Sequence, residues 1–318
     1  MTDVKKQHYV PQFYLKRFAS NTETLYAFNK FTRKSFRTNV RDVASEMRFY
    51  DIHPDLHKHF LDNVASGEVD PADAEIIAKA RDPQFIEHEL AAREATFSPI
   101  YQEVLNAIEG GRRFTDAQRW YMAEFVSMQY LRTPESRKTN IDFQKSALTT
   151  LFRKFSEYPD AYVEYDERNA SLDHAQMMFN PDLMSQLCLT LVKHIWLIGE
   201  NVTSHHFYTS DSPVVKKAHI RHPFMGVGIG SFGVEVAFPL TPKYMLIMCE
   251  RAAFIHLADM DERTIPLTSE HITYYNSLQV LQSYRSIYSL LGEFLLAVEI
   301  CAEHPEVCVP ERIRVETS

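Results

Sequence analysis

Three residues of this chain have side chains suited to moving protons or holding a cation: His8, Glu94 and Asp211. A histidine titrates near neutral pH, so His8, beside Tyr9 and close to Tyr14, could serve as general base, leaving-group acid or metal ligand. Asp211 stands in Thr209-Ser-Asp-Ser-Pro213, directly after a strand-like run, where rigid scaffolds present chemistry. It could hold a divalent ion, orient His8 or contact a ribose hydroxyl. The same Ser/Asp-before-Pro pattern also builds Asx and ST turns with no ligand. Glu94 falls on one helical pattern and Gln129 with Arg132 on the next, so the three could face a shared groove. Arg132, just before Thr133-Pro134, sits where a helix ends and a cation is favoured. It reads either as one half of a buried Glu94–Arg132 ion pair joining two helices, or as an anchor for phosphate or carboxylate.

Two classes of function follow. In the first, His8, Glu94 and Asp211 converge on a phosphodiester- or nucleotide-directed hydrolase of nuclease type. His8 is then the acid or base, and Asp211 and Glu94 carry a divalent ion such as Mg²⁺ or Mn²⁺ or orient the histidine. Arg132, Lys16 and Arg17 neutralise phosphate. In the second, the chain is a non-catalytic module that binds nucleic acid, a nucleotide signal or a partner protein, and these residues are packing and caps. A third reading is an oligomeric scaffold whose aromatic N-terminus docks on a neighbouring subunit.

Charge is unevenly spread. Residues 1–42 hold nine Lys/Arg against Asp3, Glu23 and Asp42, a net +6 that leaves −14 for the other 276 residues of a chain with net charge −8. A basic N-terminal lobe on an acidic body suits a nucleic acid or nucleotide, or equally a solvated hairpin paired with acidic helices.

Composition sets the remaining bounds. At 318 residues with 45% hydrophobic and 12% aromatic content, the chain can bury a sizeable core as one large domain or two smaller ones. Nine glycines are too few for a glycine-rich barrel or propeller. No apolar run reaches the roughly 18 residues of a membrane span, and Leu187–Gly199 is broken by Lys193 and His194. The opening Met-Thr-Asp-Val-Lys-Lys-Gln has no apolar stretch behind it, so a cytoplasmic protein is expected. Cys188, Cys249, Cys301 and Cys308 are too scattered for a zinc ribbon or disulfide framework.

The elements that must position these residues read as an α+β fold: a mostly helical body, an N-terminal β-hairpin and a C-terminal mixed or antiparallel sheet. Residues 25–29 and 35–40 read as the hairpin, and 43–52 as a short helix followed by an extended piece. Residues 53–82 read as a loop with one short helix. Apolar spacing predicts helices from Pro83 to Ile108, after Thr115 until Pro134, from Glu135 to Tyr158 and from Pro181 to Ile198. Strands are expected at 206–216, Val234–Pro239, Tyr244–Cys249 and 252–258, then a helix from Ser269 to Ser289 and a short apolar segment to Ile300. With no repeat or low-complexity linker, a single compact domain is favoured, divided into 1–52, 83–198 and 200–300.

The opening His8-Tyr-Val-Pro-Gln-Phe-Tyr-Leu-Lys-Arg-Phe18 resembles the signature of a bacterial and phage domain of unknown function, number 4238. The resemblance continues in order through Leu25–Lys30, Ala44–Tyr50, Glu87 with Glu94, Phe125–Pro134, Thr209–Pro213, Phe238–Pro242 and Asn276. It spans nearly the whole chain. It implies a fold and a shortlist of residues, adding Gln12 and Asn276 to the candidate substrate-binding groups Lys16, Arg17, Gln129 and Arg132.

Other motifs carry less. His8 and Gln12 share a face only if they lie on a helical turn. His53/His57/His59 and His205/His206/His219/His222 lack the His-Glu-x-x-His helix or a Cys/His ligand set. Gly226-Val-Gly-Ile-Gly-Ser-Phe-Gly233 precedes a strand and has no Lys-Ser/Thr, so it fits neither a dinucleotide fingerprint nor a P-loop.

Overall fold

The computed structural model describes residues 3–66, 79, 81–155, 162–220, 227–312 and 314. Eleven strands and nine α-helices appear among them, in an α+β arrangement. The N-terminal segment gives β1 (Lys6–His8), the one-turn helix α1 (Gln12–Leu15), the hairpin β2 (Thr24–Asn29) and β3 (Lys34–Asn39), and β4 (Ser45–Met47). Helices α2 (Pro54–Ser66), α3 (Phe85–Glu109), α4 (Asp116–Leu131), α5 (Pro134–Phe155), α6 (Ala170–Phe179) and α7 (Pro181–Lys193) follow. The remainder comprises β5 (Ile195–Asn201), β6 (Thr209–Ser210), β7 (Val215–Ala218), β8 (Val234–Pro239), β9 (Tyr244–Cys249), β10 (Arg263–Leu267), α8 (Ser269–Gln282), β11 (Ser286–Ser289) and α9 (Leu295–Glu303).

Local chemistry explains the helix ends. Thr115 caps α4 in a capping box: its Oγ1 accepts the Gln118 N–H at 3.1 Å, and Gln118 Oε1 accepts the Thr115 N–H at 3.0 Å. Pro134 ends one helical pattern because it starts the next, contributing the first residue of α5, where a missing N–H is harmless. Asn180 caps α7 by accepting the Leu183 N–H at 2.9 Å.

Three sheets form among the described residues: β1–β4, the mixed sheet β10-β5-β9-β8-β7 and the antiparallel sheet β3-β2-β11-β6. Among the described residues only the β10–β5 pair is parallel. The third sheet is assembled from distant parts of the chain, since β11 lies between the N-terminal β2 and the short β6.

The structure departs from the expected elements in several places: α6 (Ala170–Phe179) has no counterpart among the expected helices, and the strand expected at 206–216 is divided between β6 and β7, which lie in different sheets. The segment after Val43 is strand β4, paired with β1, rather than a short helix. The helix expected to reach Ile198 stops at Lys193, and Ile195–Asn201 is the buried strand β5. An all-apolar run reads alike as buried helix or buried strand, and here flanking strands decide. Gly199 permits the close packing, because a Cβ there would collide with Leu267 of β10. The 252–258 region gives a 3₁₀ segment, Ile255–Met260, and the strand comes later at Arg263–Leu267. The helix expected to run to Ser289 ends at Gln282, and Ser286–Ser289 becomes β11, buried at every position. The expected helix end at 156–158, the loop at 67–78, His222 and Gly226 lie outside the described residues.

The largest core cluster joins all these layers. Tyr9, Tyr14 and Phe18 from the N-terminal segment pack with Tyr101 of α3, Phe125 of α4 and Phe238 of β8. Tyr14 stacks on Phe238 with ring centroids 5.0 Å apart, and Phe125 meets Tyr14, Tyr101 and Phe238 within 6.4 Å. Among the described residues no helix is long and apolar enough to cross a membrane.

Candidate functional site

The N-terminal signature is bound into the fold residue by residue. Pro11 fixes the entry to α1, where its carbonyl accepts the N–H groups of Tyr14 and Leu15. The Tyr14 hydroxyl donates to the Pro239 carbonyl at 2.8 Å and lies 2.7 Å from Thr209 Oγ1, so it is satisfied twice in a fully buried position. Gln7 Oε1 accepts the Tyr50 N–H at 2.6 Å, and Gln129 Nε2 donates to the Tyr9 carbonyl at 3.0 Å. Gln12 is half-buried at the first turn of α1. Lys16 pairs with Glu23 at 2.7 Å and Arg17 donates to Gln102 at 2.6 Å.

Arg132 is the point where two expected site residues meet. It is 3% exposed, pairs with Glu94 through Nη1 at 2.8 Å and donates through Nη2 to the His8 carbonyl at 2.6 Å. His8 Nε2 donates to the Arg41 carbonyl at 3.2 Å. Burial lowers its pKa from 6.5 to about 4 against the raising effect of that bond, with Lys6 and Arg132 adding to the fall. Glu87, two turns before Glu94 on α3, is pushed up from 4.5 to about 7 by burial, and Arg132 offsets this only in part. Glu87 Oε2 and Arg132 Nε are both buried without a hydrogen-bond partner.

Asp211 belongs to a different network. It is fully buried, and its Oδ1 accepts the Tyr284 N–H at 2.7 Å while Oδ2 accepts those of Arg285 and Ser286 at 2.7 and 2.6 Å. Three of about four acceptor positions are therefore filled by the backbone entering β11. Burial raises its pKa, with Lys30 and those N–H groups acting the other way. Neighbouring side chains continue the scaffold: Ser210 donates to Gln279 Oε1, and Asn276 accepts the Tyr208 N–H and donates to the His206 carbonyl. No group of three or more His, Cys, Asp or Glu side chains among the described residues is arranged to hold a metal ion. With Glu94 on Arg132 and Asp211 on β11, the donor set does not fit a divalent cation shared by Glu94 and Asp211.

The basic N-terminal lobe spends several cations locally. Lys6 and Arg41 lie 2.8 and 3.6 Å from Asp42, and Arg33 donates to the Cys301 carbonyl. Lys30 is fully buried and donates to the Val280 and Ser283 carbonyls at the end of α8, a favourable place for a cation. Burial lowers its pKa to about 8. Lys34 and Arg37 remain exposed on the edge strand β3, which suits protection against edge pairing. Of the histidines, His219 pairs with Glu235 at 3.1 Å and His53 lies 3.8 Å from Asp55.

A capacious concavity lies elsewhere. A cleft of about 960 Å³ opens between the end of α4, the start of α5, the segment Ser212–Ala218, α8 and the stretch 306–314. Small-molecule sites typically occupy roughly 300–1,000 Å³. Lys216 and Lys217 of β7 line this cleft and form no ion pair with a carboxylate among the described residues; Lys216 Nζ donates to Tyr130 Oη at 2.7 Å. Opposite charges close the far side: Glu135 Oε1 lies 2.8 Å from Arg312 and 3.2 Å from Arg314. Gln129 Oε1, Glu135 Oε2 and Ser212 Oγ belong to residues of this wall, are buried and have no hydrogen-bond partner. Each such orphan costs about 1–3 kcal/mol unless something supplies a partner.

Of the residues expected from sequence, only Gln129 lines the cleft. Glu135, Lys216 and Lys217 were not distinguishable by periodicity. The signals that do point to them are the Lys-Lys pair shortly after Pro213 and an acid directly behind Thr133-Pro134.

A chain with this α+β architecture and an N-terminal segment threaded into its core matches one family model over residues 6–291, described as a protein of unknown function (DUF4238). The chain belongs to that family. No curated protein and no solved structure matches it. The part of the cleft wall at 306–314 lies beyond the matched residues.

Proposed function

We propose that the protein is a recognition module for a nucleotide-type ligand, held in the cleft between α4, α5, β7 and α8. The observation that carries this reading is a ligand-sized cleft lined by Lys216 and Lys217, neither of which forms an ion pair with a carboxylate among the described residues. A phosphate group would neutralise them. The signature residues support binding over turnover, because Tyr14, Asp211 and Asn276 are committed to holding strands and turns together.

Calorimetric titration of the full chain with nucleoside mono-, di- and triphosphates, with and without EDTA, tests this. Saturable binding unaffected by chelation is expected, weakened at least tenfold in the Lys216→Met/Lys217→Met double variant with unchanged circular dichroism. Undiminished affinity in that variant would place the ligand elsewhere.

One observation favours a hydrolase. Glu87, with a pKa of about 7, lies near Arg132, and a carboxyl poised there can give or take a proton at neutral pH. In that reading a nuclease-like site uses Glu87, His8 and Glu94, and the basic N-terminal lobe meets the nucleic acid. RNA, single- and double-stranded DNA and free nucleotides, incubated with Mg²⁺, Mn²⁺ or EDTA, give the measurement. Turnover abolished by Glu87→Gln and His8→Ala in folded protein would establish it, and absence of turnover throughout would remove it.

A further inference from the structure

A second concavity is built around an arginine that has no carboxylate partner among the described residues. We infer that a small monocarboxylate with an apolar body binds against Arg137, in a pocket of about 350 Å³ between β4, the start of α5 and the start of α6. This pocket shares no lining residue with the nucleotide cleft. Pro134, Arg137, Lys138 and Ile141 form one face of α5, whereas Glu135, Ser136 and Thr139 of the cleft form the opposite one.

Arg137 is positioned by neutral neighbours rather than by a counter-ion. Its Nε donates to His174 Nδ1 at 2.9 Å, and His174 Nε2 donates to the Leu131 carbonyl at 2.8 Å. A carbonyl only accepts, so the imidazole proton sits on Nε2 and the Nδ1 lone pair serves the arginine. Burial drives the His174 pKa well below 6.5 and Arg137 adds to the fall, so the arginine carries the only charge of the pair. Its guanidinium carbon lies 3.6 Å from the centroid of the Phe49 ring. Burial lowers the Arg137 pKa from 12.5 to about 10, and Tyr50 and Glu46 offset this only in part. The residue is nonetheless partly exposed and lines the pocket. Nη2 is shut inside without a partner, which leaves Nη1 for a ligand.

The rest of the wall sets the charge and size of that ligand. Arg48 pairs with Asp3 and Asp51 at 3.0 and 2.6 Å, Lys138 with Glu167 at 3.9 Å, and Glu46 with Arg285 at 3.5 Å. Arg137 is therefore the one cation of this wall without a carboxylate among the described residues. A single negative charge balances it. A second, as on a phosphate monoester, would stand beside Glu46 and Glu167 and be repelled. Met47, Phe49, Pro134 and Ile141 supply apolar surface, and the volume lies at the lower end of the roughly 300–1,000 Å³ of small-molecule sites.

Calorimetric titration of the full chain at neutral pH with acetate, butyrate, benzoate and inorganic phosphate tests this. Saturable binding of at least one carboxylate is expected, with phosphate weaker by about tenfold or more. Arg137→Gln should weaken the carboxylate about tenfold, the worth of one charge-assisted hydrogen bond. That variant also loses the stacking on Phe49, so Ala170→Phe serves beside it. Ala170 lines the pocket and is partly exposed, and a larger side chain there fills the space while leaving Arg137 in place. It should abolish carboxylate binding with unchanged circular dichroism. Undiminished binding in the folded Ala170→Phe variant would overturn the inference. Phosphate binding as tightly as the carboxylates would overturn it too, as would the absence of binding by all three carboxylates.

Discussion

Arg132 reaches Glu94 across 2.8 Å and so ties the end of α4 to the middle of α3, while its other terminal nitrogen holds the carbonyl of His8. A single guanidinium thereby joins two helices and the N-terminal strand. Its fixed fork explains why lysine would not substitute, because one ammonium cannot serve both directions with the same geometry.

Removing one partner of such a buried pair strands the other. Arg132→Met should therefore destabilise the chain by about 3 kcal/mol, lowering the thermal midpoint by several degrees. Glu94→Gln leaves the Arg132 charge, 3% exposed, without its carboxylate and should also destabilise the chain, eased in part because the amide oxygen can still accept from Arg132 Nη1. Thermal unfolding followed by circular dichroism makes the comparison; equal midpoints for wild type and Arg132→Met would contradict the role assigned to the pair.

Acid and neutral pH should act on stability through opposite groups. The folded-state pKa of Glu87 is raised from 4.5 to about 7, so its favourable contribution is complete below 4.5 and is lost as pH rises through 7. His8 is depressed from 6.5 to about 4, so its contribution is present above 6.5 and is lost as pH falls through 4. Glu87→Gln should remove the decline between pH 4.5 and 7 and leave a protein more stable than wild type at pH 8. Urea denaturation across that range reads both effects. A wild-type and Glu87→Gln pair with parallel profiles would rule out a buried, titrating Glu87.

The stretch after α9 supplies part of the cleft. Val307, Val309 and Arg312 line it, and Cys308 packs against the core cluster that holds Ala297, Ile300 and Cys301 of α9. A chain ending at His304 loses the Arg312 and Arg314 partners of Glu135, so it should melt several degrees below the full chain and bind nucleotide at least tenfold more weakly at a temperature where both are folded. Unaltered affinity would show that this wall plays no part in recognition.

Much of the architecture was legible where local chemistry speaks for itself. Thr115 with Gln118 announces a capping box, the alternation around Lys30–Lys34 announces a hairpin, and Arg132 before Thr-Pro announces a helix end. Legibility failed where tertiary pairing decides. Ile195–Ile198 and Ser286–Ser289 are apolar enough to extend the preceding helices, and only their strand neighbours β9, β10 and β2 make them strands. The site followed the same rule. Glu94 and Arg132 share a helix-pair geometry that spacing anticipates, whereas no spacing reveals that Gln129, Lys216 and Glu135 border one cleft. Nor does any pattern show that Asp211 accepts three N–H groups contributed more than seventy residues later.

The strand order β3-β2-β11-β6 has a consequence for biosynthesis. During vectorial synthesis the hairpin emerges first, yet its central neighbour β11 leaves the ribosome some 250 residues after β2. Until then Phe28 lacks its packing partners, and Lys30 lacks the α8 carbonyls that accept its protons. Pairing across such separations requires costly loop closure before any reward, which makes it slow. The nascent chain therefore carries an unsatisfied, aromatic-rich hairpin until β11 has been made.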